Sequence, residues 1–337
     1  MFEIPIALFT FKRKDTVFRI LDRIAQVKPK KIYIISDGPR DEHEKDIILD
    51  VRASIENYIS WDCEIIKNYA EENRGVYRNI GEGAKWVFSL EEKAIFLEDD
   101  NLPALTFFKF CQEMLEKYEG DNRILWICGT NYLKEYIPED GSSYMFTKHM
   151  LPCGWASWQD KFNEFYDGKL DLLSEPNIDK RLSNEYEDKS LYRQEIVLMK
   201  KTKYTLDNEI RKASWDRQMN FSIRANSLFG ISPKYNQIEN IGVDDLSVHG
   251  GTSFKFTMTK RFCGIKTIPL EFPLKHPKFV LNDKTYEKKI GKVILYPLKS
   301  RIKTRIMQFI KPILGVDKYT SYKMHLEKKK EKQNNLQ

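Results

Sequence analysis

Ala94-Ile95-Phe96-Leu97-Glu98-Asp99-Asp100 constrains this chain more than any other stretch. Four apolar residues read as a buried strand, and three carboxylates must then emerge where that strand ends. In open α/β sheets, ligands sit just beyond the carboxyl ends of strands. Three adjacent acids raise one another's pKa unless a cation lies among them. A hard ion such as Mn²⁺ or Mg²⁺ prefers oxygen ligands of this kind and can also hold a diphosphate. Asp100 or Asn101, shortly before Pro103, also fits a helix cap, because Pro favours the first helical position. One acid would suffice for a cap; three in succession favour a ligand site.

The surrounding pattern supplies the sheet. Ile4–Thr10 is a mostly apolar run, as expected of a parallel strand covered on both faces. Lys12–Gln26 follows with Val17, Ile20, Leu21 and Ile24 at helical spacing. Lys31–Ser36, Cys63–Lys67, Ala94–Leu97 and Ile124–Cys128 read as further strands. Helices are expected around Ile47, Ile48, Val51 and Ile55, around Ile80, Ala84, Val87 and Phe88, and over Pro103–Tyr118. Such alternation predicts an α/β fold with a mostly parallel sheet and right-handed crossovers. After about residue 130 the rhythm gives way to aromatic and polar segments, with a charged, helical-looking stretch over 171–214. The organisation predicted is a nucleotide-binding half at 1–130, an acceptor and catalytic half of the same domain at 131–286, and a basic amphipathic tail at 287–337.

Charge is unevenly spread. The 337 residues carry a net +7, but from Glu287 onward fourteen Lys/Arg face four Asp/Glu, a net +10, which leaves residues 1–286 at −3. The basic character therefore belongs to the tail. Within it, Ser300–Lys311 sets Ile302, Ile306, Phe309 and Ile310 on one helical face, with Arg301, Lys303 and Arg305 largely on the other. That pattern suits an anionic membrane surface, and equally a helix packed on its own domain. No base-stacking aromatics lie within a basic patch, so no nucleic-acid partner is expected. No apolar run approaches the ~18 residues of a membrane span. No signal peptide is recognised, and the five cysteines form no CxxC pair. A cytoplasmic protein with reduced thiols is the expectation, its tail placed at the inner face of the plasma membrane. The last dozen residues are expected to be disordered.

Other residues are candidates for chemistry. Asn73-Arg74-Gly75 would present a cation and backbone amides to a phosphate, and Arg13 could do likewise after the first strand; a solvated basic loop is the competing explanation. Asp37 could accept a hydrogen bond from a base, or simply serve the turn before Gly38-Pro39. Asp216, beside Trp215, could act as a general base, or be a surface acid paired with an Arg. His249 lies in a Gly-rich setting suited to a mobile loop near a donor. Trp155 and Trp158 could stack on a sugar ring or fill the core.

Taken together, these pieces resemble the GT-A glycosyltransferases, and more narrowly the β-1,2-N-acetylglucosaminyltransferase I family, with bacterial relatives in polysaccharide gene clusters. The shared order runs over about residues 3–255: Ile4–Arg13, Ile34-Ile35-Ser36-Asp37, Tyr77-Arg78, Glu98-Asp99-Asp100 with Phe107-Phe108, Gly154-Trp155, Trp215-Asp216 and Val248-His249-Gly250. The resemblance implies a GT-A (Rossmann-like) fold: a mixed, mostly parallel sheet flanked by helices, here with a C-terminal helical and basic extension. It implies Asp100 as the metal ligand, Asp99 at the ribose, Glu98 near the donor sugar, Asp37 reading the uracil and Asp216 as catalytic base. Arg13, Arg74, Arg78 and His249 join the donor site, and Trp155 and Trp158 the acceptor side. Arg217 stands where the family pattern has a second Asp after the Trp. The implied activity is metal-dependent, inverting transfer from a nucleotide sugar, UDP-linked as in UDP-N-acetylglucosamine, to a glycan or lipid-linked glycan in surface polysaccharide synthesis. Two other classes remain: a sugar nucleotidyltransferase, which usually wants a Gly-rich loop absent from Thr10–Asp15, and a non-enzymatic basic protein of membrane surfaces.

Overall fold

In the computed structural model, which describes residues 2–209, 213–243 and 253–320, the first strands alternate faces strictly. Ile6–Thr10 (β1), Lys31–Ser36 (β2), Glu64–Tyr69 (β3) and Lys93–Glu98 (β4) pair in parallel in the order β3-β2-β1-β4. Ile6, Leu8, Ile32, Ile34, Ile95 and Leu97 point into one core; Ala7, Phe9, Tyr33, Ile35, Ala94 and Phe96 point into the other. That is the period-two consequence of the pleat, and it makes the central strands apolar on both faces.

Helices Lys14–Val27 (α1), Glu42–Tyr58 (α2), Gly83–Phe88 (α3) and Leu105–Lys117 (α4) lie on the crossovers. α1 buries Val17, Ile20, Leu21 and Ile24, a complete helical stripe. α2 buries Ile48, Val51 and Ile55, but Ile47 is exposed. A short π-helix, Tyr77–Glu82, leads into α3. The residues after β4 form no cap: Asn101–Pro103 is a short strand (β5), and α4 begins after Ala104.

The second half completes the sheet. Ile124–Cys128 (β6), Tyr144–Thr147 (β7), Trp155–Trp158 (β8) and Phe229–Pro233 (β9) extend the order to β3-β2-β1-β4-β8-β6-β9-β7. β8 runs antiparallel to β4 and β6, β7 antiparallel to β9, and β6 and β9 are parallel. The result is the expected α/β fold, a mixed and mostly parallel sheet flanked by helices. Ile238–Asn240 (β10) pairs with β5 in a separate two-stranded sheet. Gln159–Phe165 (α5), Ile178–Leu182 (α6), Lys189–Asp207 (α7) and Asp216–Ala225 (α8) fill out this half, with a small core of Leu173, Leu182, Leu191, Met199 and Phe221 between them. Thr257–Phe262 (α9), Lys284–Ile294 (α10) and Leu298–Ile313 (α11) follow.

The boundary drawn at 286/287 falls inside α10, whose Tyr286 and Ile290 belong to the same core as Phe9, Tyr33 and Phe96. Glu287, 3% exposed, accepts from Arg224 Nη2 at 2.8 Å and Thr147 Oγ1 at 2.6 Å, and its carbonyl lies 2.9 Å from His149 Nε2. Burying a carboxylate requires such partners, so α10 is clasped to β7 and α8. No described helix is long and apolar enough to cross a membrane. The last dozen residues lie outside the described ones.

Candidate active site

The carboxyl ends of β1, β2 and β4 open onto one cavity of about 1610 Å³, which α8, α9 and the start of α11 also wall. Each strand delivers charged residues there because its apolar run stops at the sheet edge. β1 leads into Phe11-Lys12-Arg13, β2 into Asp37, and β4 ends at Glu98 before the Asp99-Asp100 turn. Asp216, the first residue of α8, lines the same cavity.

A cation does sit among the acids, and it belongs to the protein. Arg13 Nη1 lies 3.1 Å from Asp100 Oδ2 and 3.5 Å from Asp99 Oδ1. Arg13 Nη2 also donates to the Gly242 carbonyl at 3.3 Å. Asp99 Oδ2 accepts from the Phe11 amide at 3.1 Å, tying the β4 turn to the loop after β1. The backbone of Asp100 is fixed by the residue after β10: its carbonyl accepts from Ile241 N at 2.9 Å. Gly242 then passes so close that an added Cβ would collide with Asp100 Oδ2. Asn101, 1% exposed, braces the turn from behind by accepting from Gly154 N at 2.8 Å.

Glu98 is different. Among the described residues its carboxylate has no hydrogen-bond or ion-pair partner. Burial pushes its pKa well above the ordinary value, and the charges of Asp100, Asp99 and Asp216 push the same way, against Arg13. Burial also raises Asp100, with Arg13 opposing. An unpartnered carboxylate beside Asp100 is a donor set that fits a hard divalent ion. Among the described residues, no group of three or more His, Cys, Asp and Glu is arranged to hold a metal by itself. Glu98 and Asp100 alone would leave such an ion short of ligands, so further oxygens would have to complete its shell.

Asp37 is saturated. Its Oδ1 accepts from Gly38 N at 2.8 Å and Arg74 N at 2.6 Å; its Oδ2 accepts from Gly75 N at 3.1 Å and Asn73 Nδ2 at 3.0 Å. Burial raises its pKa and the amides of Arg74, Gly38 and Gly75 pull it back down. Four donors use the roughly four lone-pair sites of a carboxylate. In this conformation Asp37 therefore shapes the 73–75 loop, and contact with a base would have to displace one of these bonds. Arg74 contributes its backbone; its guanidinium turns away to Asn68 Oδ1 at 2.7 Å. Arg78, on the π-helix, is exposed outside the cavity. Neither guanidinium stands where a donor-site role predicts.

The cationic wall that sequence reasoning missed is Lys12 and Arg40. Both line the cavity, and both are held by Glu44, which is 4% exposed. Lys12 Nζ donates to Glu44 Oε1 at 2.8 Å and Arg40 Nε to Oε2 at 2.8 Å. The Arg40 hydrogen bonds, with help from Lys12, hold the Glu44 carboxyl down to about 2 against the cost of burial. The one sequence signal was position: Arg40 follows the Asp37-Gly38-Pro39 break at the end of β2.

Asp216 accepts a short hydrogen bond from Ser214 Oγ. Arg217 is turned to Glu195 Oε2 at 3.1 Å, so it forms an ion pair where the resemblance has a second Asp. Behind Asp216 stands an aromatic column. Trp155 stacks on Phe96 at 3.9 Å and on Trp126 at 4.3 Å between ring centroids, and Trp215 lies 5.7 Å from Trp155. This corrects the sugar-stacking expectation. Trp155 and Trp158 are 1% and 2% exposed, with no ring face open to a sugar. Trp158 is further committed by its Nε1 bond to the Leu115 carbonyl at 3.0 Å. His249 lies outside the described residues.

No family model matches the sequence, and no curated protein matches it at a significant level. Solved structures give weak likenesses. A mannosyltransferase from Pyrobaculum calidifontis in complex with GDP-Man and Mn²⁺ is 11% identical, covers 67% of this chain and 68% of that one, and has a TM-score of 0.34. A UDP-glucose pyrophosphorylase complexed with UDP-glucose is 8% identical over 71% and 94% of the two chains, with a TM-score of 0.35. A 4-diphosphocytidyl-2C-methyl-D-erythritol synthase from Anaerococcus prevotii is 14% identical over 57% and 83%, at 0.32. Resemblance at this level assigns neither family nor activity.

Proposed function

We propose that this chain is an inverting glycosyltransferase that draws on a nucleotide-sugar donor, UDP-linked, and requires Mn²⁺ or Mg²⁺. One observation supports the reading above all: Lys12, Arg13, Arg40, Glu98, Asp99, Asp100 and Asp216, delivered by separate elements, line a single cavity at the carboxyl ends of β1, β2 and β4. Lys12 and Arg40 receive the diphosphate as point and forked cations. Asp99 lies beside the loop after β1, where a ribose hydroxyl would meet it. Glu98 and Asp100 would hold the divalent ion, which offsets charge on the departing diphosphate when bound.

Asp216 carries the proton. Its carboxylate takes the proton of an acceptor hydroxyl, and that oxygen attacks the anomeric carbon from the face opposite the diphosphate. The bond from the anomeric carbon to the phosphate oxygen breaks, and its electron pair leaves with the nucleoside diphosphate. Ser214, donating to Asp216, orients the carboxylate. Holding both partners in one cavity supplies much of the acceleration. The acceptor we favour is a glycan used in surface polysaccharide synthesis.

The test is a panel of nucleotide sugars with Mn²⁺, read by calorimetry and by donor hydrolysis. UDP-sugars should bind and turn over slowly, and Asp216→Asn should abolish transfer while UDP binding persists. Silence from every UDP-sugar refutes the reading. Release of pyrophosphate from a nucleoside triphosphate and a sugar 1-phosphate would establish nucleotidyl transfer in its place.

A further inference from the structure

Helix α11 is amphipathic in the wrong sense for a surface helix. Such helices normally bury their apolar stripe and show their polar face to water. Here Leu298, Ile302, Ile306, Phe309 and Ile313 recur every three or four residues and all face outward; Phe309 is 74% and Ile313 70% exposed. The better-covered positions are polar or mixed: Arg301, Thr304, Met307, Gln308 and Lys311, the last buried with its Nζ on the Thr320 carbonyl at 2.6 Å. The first turns of the same helix wall the cavity through Ser300, Lys303 and Thr304.

We propose that the outward row of α11 docks on an anionic lipid bilayer, bringing the cavity to the membrane surface. Charge favours that occupant over the others. Exposed Lys299, Lys303 and Arg305 border the apolar row, and no acidic residue occurs from Leu298 to Val316. Apolar side chains enter the headgroup boundary while flanking cations pair with lipid phosphate, their stems lying along the interface. A second copy of the helix would bring like charge against like charge. The same holds for residues 321–337, which carry five Lys against two Glu. The cavity wall nearest the bilayer is then α11 itself, so the acceptor class is one carried on a lipid. That last step rests on the glycosyl-transfer reading; the docking does not.

The experiment is vesicle co-sedimentation of the full chain, with neither donor nor metal, on phosphatidylcholine vesicles with and without phosphatidylglycerol. Native protein should partition to the anionic vesicles at least about tenfold better than to neutral ones, and salt should weaken it. Ile306→Gln/Phe309→Gln/Ile313→Gln should lose that binding by at least about tenfold, and Lys299→Gln/Arg305→Gln should lose the preference for anionic lipid. Both variants should melt as the native chain does, since the positions are exposed. No anionic preference, or full binding by the apolar triple variant, overturns the proposal. So does a concentration-dependent dimer abolished by the same three substitutions, or binding seen only after removal of residues 321–337. If UDP-sugars fail to bind while vesicle docking holds, the function falls and the docking stands.

Discussion

Glu44→Gln tests whether the cationic wall is built by a buried acid. The Glu44 carboxyl sits at about 2 against an ordinary 4.5, mainly through the Arg40 hydrogen bonds. At ~1.36 kcal/mol for each tenfold change in proton affinity, that depression corresponds to roughly 3 kcal/mol. The Arg40 side chain is 49% exposed while the Glu44 side chain is 6% exposed, so solvent screens part of the interaction. The expected loss on substitution is therefore about 2 kcal/mol at neutral pH. Because the folded pKa is depressed, the contribution is complete above about pH 4.5 and declines as pH falls toward 2, with more than half gone near pH 3. Urea denaturation of both proteins across this range checks it: the gap between them should be wide at neutral pH and narrow in acid. With Lys12 and Arg40 released, UDP should also bind about tenfold more weakly by calorimetry, ~1.4 kcal/mol. Stability curves that run parallel from neutral pH to about pH 3, or unchanged UDP affinity, would refute the assignment.

Three further outcomes follow from the site. Glu98→Gln should raise the melting temperature of the metal-free protein at neutral pH. The fold favours the protonated form of Glu98, so stability is complete below its ordinary value and declines as pH rises toward its elevated one; Mn²⁺-dependent UDP binding should fall at least about tenfold, ~1.4 kcal/mol, and a lowered melting temperature contradicts the argument. Gly242→Ala should push Asp100 and Arg13 apart, costing about 1–3 kcal/mol by overpacking and weakening UDP binding in a calorimetric titration; native affinity would show that the close approach is idle. Trp155→Phe should cost about 2 kcal/mol in denaturation through the cavity it leaves, with acceptor KM unchanged, whereas a selective rise in acceptor KM would return Trp155 to the acceptor site.

Local pattern carried the sheet well. Lys31–Ser36 and Ile124–Cys128 were bounded to the residue because apolar runs ended in turn chemistry, and Val17, Ile20, Leu21 and Ile24 could only be one helical stripe. The acid corner was legible too, since carboxylates placed directly after a buried strand have one place to go. The partners of those acids were not. Nothing near Arg13 in sequence says that it reaches Asp100, and Glu44 reads as one more acid in a first helical turn beside Asp41 and Glu42. Asp37 and Arg74 were each plausible as ligand contacts until the pairing of backbone amides with a carboxylate showed them engaged with each other. The tryptophans failed for a related reason: an aromatic knot has the same spelling whether it faces a sugar or another indole. Exposure of the α11 stripe is equally a tertiary fact, because amphipathicity fixes a helix's two faces and leaves open which one the body covers.

The aromatic column makes a spectroscopic gauge of the site. Three indoles within a few ångströms of one another, with Trp215 next to Asp216 and Phe96 two residues ahead of Glu98, should couple electronically and give a strong near-ultraviolet dichroism band. Whatever loosens the register between β4, which ends at Glu98, and α8, which begins at Asp216, must also disturb that coupling. The protein therefore carries a label-free reporter of whether β4 and α8 are aligned, readable without any ligand.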